Sequence, residues 1–130
     1  MAEQTVCQIV SCHTYRTVGM NILFVCTFKV TENASGGIAR VTGNLSKLFT
    51  EKGHVCNLAY YNDVDGPSGG SFGTVTGLVR NQEKEALSTL AARNDVFIVQ
   101  VQMSKSNLYL LPILKSVREQ YGTRIIYCHH

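Results

Sequence analysis

Between Asn21 and Val55 the chain passes from an unbroken apolar run, through a glycine loop, into a helical period and back to a second apolar run. The run Ile22-Leu23-Phe24-Val25-Cys26 is short and does not alternate, as expected of a strand covered on both faces in a parallel sheet. Ser35-Gly36-Gly37 lets the backbone turn sharply and leaves its amides uncovered by side chains. Ile38, Val41, Leu45, Leu48 and Phe49 then recur at helical spacing, which predicts one face packed on the sheet. Gly53 supplies the stop. A helix that starts at a glycine loop offers free N–H groups and a positive dipole end, suited to phosphate or another anion.

The rest of the chain repeats this alternation. Val55–Tyr60 reads as a second strand. Tyr61–Val79, with Asp63, Asp65, Pro67 and glycines at 66, 69, 70, 73 and 77, reads as a long surface loop without a regular element. Asn81 is expected to cap a helix to about Arg93, with Ala86, Leu87, Leu90 and Ala91 inward. Val96–Val101 is a third strand, Met103–Asn107 a loop, and Leu108 to about Tyr121 a helix with Pro112 in its first turns. Gly122 ends that helix before a last strand, Thr123–Cys128. Strands alternating with helices predict an α/β fold, a Rossmann-like parallel sheet flanked by helices.

A chain of 130 residues, 45% hydrophobic and 16% charged, has room for one domain with a real core and hardly for two. Twelve basic residues against nine acidic ones give +3, and the basic residues are scattered, so no nucleic-acid footprint is present. No apolar run approaches the roughly 20 residues of a membrane helix. The five cysteines, at 7, 12, 26, 56 and 128, are odd in number, and three fall in predicted strands, which points to a reduced, cytoplasmic protein. Residues 1–19 contain Glu3 and no sustained apolar core, so they do not form a secretory signal. They are expected to be a poorly ordered extension, or to add a short strand over Thr5–Ser11, ahead of a domain spanning 20–130.

Several motifs fail on spacing. The Gly36-Gly37 loop is neither G-x-G-x-x-G nor a P-loop, since no Gly-Lys-Ser/Thr follows. Phe24-Val25-Cys26 is similar to the nucleophile strand of small tyrosine phosphatases. Their loop, however, needs an arginine six residues beyond the cysteine, and Glu32 stands there. Cys26 is therefore read as a core residue. Cys128, His129, His130, His54 and Cys56 match no usual zinc spacing, and no metal or other cofactor is expected. A histidine at the carboxyl end of the last strand, His129 or His130, suits a ligand-facing donor or base.

Taken together, Asn21-Ile22-Leu23-Phe24-Val25, Gly36-Gly37-Ile38-Ala39-Arg40-Val41 and Gly53-His54-Val55 resemble the start of the family 4 glycosyltransferases of the GT-B fold. Asp95-Val96-Phe97-Ile98-Val99 and Ile125-Ile126-Tyr127-Cys128-His129 continue the likeness, which covers Met20 to the end. The resemblance implies a retaining enzyme built from two Rossmann-like domains, with the active site between them. This chain would be the acceptor-side, N-terminal domain, inactive by itself, and the donor domain with its paired glutamates lies outside these residues. The implied sites are Gly36 and Gly37 at the donor diphosphate and His129 (or His130) near the transferred sugar. Arg40 would contact acceptor or phosphate. Implied partners are a nucleotide-sugar donor, with the second domain present, and a glycan or lipid-linked acceptor at the inner membrane face. Self-association through exposed surface is also expected. Ala39 departs from the acidic residue frequent in the family, and Gln100 and Gln102 stand where a histidine is often found. A non-catalytic Rossmann-like binding or interaction module is the alternative.

Overall fold

The computed structural model describes residues 19–26, 37–61, 71–100 and 108–128. Among these residues the elements in chain order are β1 (Asn21–Cys26), α1 (Gly37–Glu51), β2 (Val55–Tyr61), β3 (Val75–Leu78), α2 (Glu83–Ala91), β4 (Val96–Gln100), α3 (Leu110–Tyr121) and β5 (Arg124–Cys128). The strands form one sheet in the order β3-β2-β1-β4-β5, and every neighbouring pair is parallel. This is the Rossmann-like α/β architecture expected from the alternation of apolar runs and helical periods.

The period-2 geometry of a strand splits each apolar run between two cores. Ile22, Phe24 and Cys26 join Cys56, Leu58, Val96 and Ile98 on the face covered by α1, where Leu45 and Phe49 pack down. Leu23, Val25, Ala59, Phe97 and Val99 point to the other face, under Leu87 and Leu90 of α2 and Leu110, Leu114 and Val117 of α3. The central strands β1 and β4 are buried on both sides, which is why their sequences show no alternation.

Three local expectations are corrected. The helical stripe of α1 holds at Leu45 and Phe49 but not at Val41 and Leu48, which are 44% and 45% exposed, whereas Ala39, Thr42 and Ser46 are buried. Small residues let the helix lie close to the sheet, and the hydroxyl that this buries is satisfied. Ser46 Oγ donates to the Gly43 carbonyl at 2.7 Å and accepts from the Ser71 amide at 3.0 Å. Second, the glycine-rich stretch does hold a regular element, because Val75–Leu78 pairs with Leu58–Tyr61 as edge strand β3. Asn57 anchors its approach, accepting from both the amide (3.1 Å) and the hydroxyl (2.8 Å) of Thr74. Third, Asn81 does not cap α2. It takes a left-handed φ of 70°, which asparagine tolerates, and Gln82 occupies the N-cap position without a side-chain cap.

Gly122 ends α3 as expected, with φ 68° and its amide bonded to the Arg118 carbonyl at 2.8 Å. A Cβ there would touch nothing within 4 Å, so only the backbone resists substitution. Gly122→Ala should therefore cost about 1–2 kcal/mol in chemical denaturation, the left-handed penalty alone. At the start of β1, Met20 is tied to β2: its amide donates to His54 Nδ1 at 3.1 Å, and its carbonyl accepts from Val55 at 2.9 Å.

Candidate functional site at the carboxyl edge of the sheet

From β1 the chain winds outward through β2 to β3, whereas β4 and β5 lie on the opposite side of β1. The order therefore reverses between β1 and β4, and ligands of open α/β sheets bind outside the carboxyl ends of strands at such a point. Tyr60, Cys26, Gln100 and Cys128 form one register row at that edge. Cys26 is fully buried, and burial, reinforced by the nearby Cys128, pushes its thiol far above the ordinary value. That burial is in keeping with its reading as a core residue. Gln100 is also buried, a polar side chain in the strand beside the switch point.

Of the residues expected at the site, Gly37 is the first residue of α1, and Arg40 is exposed in the first turn. That turn has no acidic side chain, so the positive end of the helix is not neutralised from within. Gly36, His129 and His130 lie outside the described residues, as do Gln102 and residues 1–18.

The same edge carries a group of side chains that the sequence did not signal. Tyr61, the last residue of β2, donates its hydroxyl to Glu83 Oε2 at 2.8 Å. The Tyr109 hydroxyl lies 2.6 Å from that of Tyr61 and accepts from Arg80 Nη1 at 2.9 Å. The Arg80 guanidinium also stacks on the Tyr61 ring, 3.9 Å from its centroid, in cation–π contact. Burial raises the Tyr61 phenol well above its ordinary value, and hydrogen bonds with Tyr109 and Glu83 add to the effect. For Glu83, burial works upward. Hydrogen bonds from the Tyr109 and Tyr61 hydroxyls and from the backbone amides of Glu83 and Asn81 outweigh it, so the carboxyl titrates below its usual value. A buried carboxylate, two phenols and a surface guanidinium thus join the ends of β2 and β3 to the starts of α2 and α3. The partners stand 22 and 48 residues apart, beyond any local pattern.

At the opposite, amino edge lie two clefts. One, of about 390 Å³, is lined by Thr50, His54, Val55, Cys56, Ser71, Phe72 and Gly73. It brings His54 and Cys56 to one wall, but burial raises the Cys56 thiol, although a hydrogen bond with Thr50 opposes this. The Met20 amide can only donate, so His54 Nδ1 is the acceptor in their hydrogen bond. The second cleft, of about 430 Å³, lies between Met20, Asp95, Gly122 and Arg124. Among the described residues no group of three or more His, Cys, Asp or Glu could hold a metal ion. Nor is any described helix long and apolar enough to cross a membrane.

Neither protein-family models, curated proteins nor solved structures match this chain.

Proposed function

We propose that this chain is the acceptor-side, Rossmann-like domain of a retaining glycosyltransferase, moving a sugar from a nucleotide-sugar to a glycan or lipid-linked acceptor. The observation that carries this reading is that Gly37 is the first residue of α1, the element that follows β1, and that the strand order reverses between β1 and β4. A helix N-terminus with no acidic residue in its first turn offers backbone amides to an anion such as a diphosphate. The resemblance in Gly36-Gly37 and in Ile125–His129 supplies the substrate class. In this reading Gly36 and Gly37 hold the donor diphosphate, Arg40 contacts acceptor or phosphate, and His129 stands beside the transferred sugar. His130 replaces His129 if the alignment shifts by one. A second domain grips the nucleotide, and catalysis needs both halves of the cleft.

The test has two arms. Nucleoside diphosphate titrated into the chain alone should shift the amide resonances of Gly37 and its neighbours, and Gly37→Arg should abolish the shift. Joined to a donor domain, the chain should transfer sugar, and His129→Ala should lower turnover by at least about 100-fold if the imidazole acts at the reacting centre. Transfer that survives both substitutions would sink the site assignment. No shift and no transfer would leave a non-catalytic module as the better account.

A further inference from the structure

We draw no further inference here: the strongest candidate, the cleft of about 390 Å³ at the amino edge of the sheet with His54, Cys56 and Phe72 on its walls, carries none because nothing in the structure shows what occupies it.

Discussion

Phe97→Ala should destabilise the domain by about 3–5 kcal/mol, the range for deleting a fully buried aromatic ring. Phe97 is completely buried in β4, in register with Leu23 of β1 and Ile125 of β5, beneath Leu110, Leu114 and Val117 of α3. With strands on both sides and a helix above, the site cannot collapse around the void, so the cavity cost adds to the lost transfer free energy. Small domains have only about 5–15 kcal/mol in total, so the variant should unfold far earlier in urea and populate unfolded chain at physiological temperature. Ile126→Ala, one strand away but half-exposed, should change stability by no more than about 0.5 kcal/mol. The contrast separates a core centred on β4 from one spread evenly across the sheet. Equal effects at the two positions would show that the sheet is not covered as described.

Why β4 could be read from sequence and β3 could not comes down to coverage. Val-Phe-Ile-Val is continuous because both faces meet helices, and continuity bounded by turns is a signal that single residues carry. β3 lies at an edge, and its four residues include a glycine and an exposed valine. Its strand conformation comes from β2 and the Asn57–Thr74 bonds, not from its own preference. The same logic accounts for α1. Helical spacing located the helix and the inward Leu45 and Phe49, but apolar periodicity alone cannot tell that Ala39, Thr42 and Ser46 share that face in place of Val41 and Leu48. Here the close approach to the sheet selects the small residues, and Val41 and Leu48 turn outward. Asn81 illustrates a third limit, since one residue type serves both helix caps and left-handed turns.

The site divides in the same way. The start of α1 at Gly37 was legible because an apolar run, two glycines and a helical period follow one another in the sequence. The Glu83 cluster was not legible, because it joins four segments whose convergence is set by sheet order. A glutamate at the start of a helix reads as a favourable dipole partner on the surface, yet Glu83 is only 1% exposed. What makes that burial tolerable is the pair of phenols and the Arg80 charge above them.

Tyr61→Phe tests that account with a signed pH dependence. The substitution removes one oxygen and keeps the ring under Arg80, so the main change is the lost donor to a buried carboxylate. It should cost about 1.5–3 kcal/mol at neutral pH, the scale for hydrogen bonds to charged groups. In the wild-type chain Glu83 titrates below its ordinary value, so its contribution is fully present above the unfolded carboxyl pKa of about 4.3. That contribution is lost as pH falls through the lower folded value. Without the Tyr61 hydroxyl, burial dominates and the folded value rises, so the variant loses less stability on acidification. The gap between the two proteins should therefore narrow from neutral pH towards pH 3. At the alkaline end the gap narrows again: the raised Tyr61 phenol stabilises the wild type below the ordinary tyrosine range, and that advantage fades above it. Denaturation of both proteins across this range decides the matter, with Glu83→Gln as the control that removes the acid limb altogether. A gap that stays constant from neutral to acid pH would mean that Glu83 draws its low pKa from its backbone amides and Tyr109, and that Tyr61 merely packs against it.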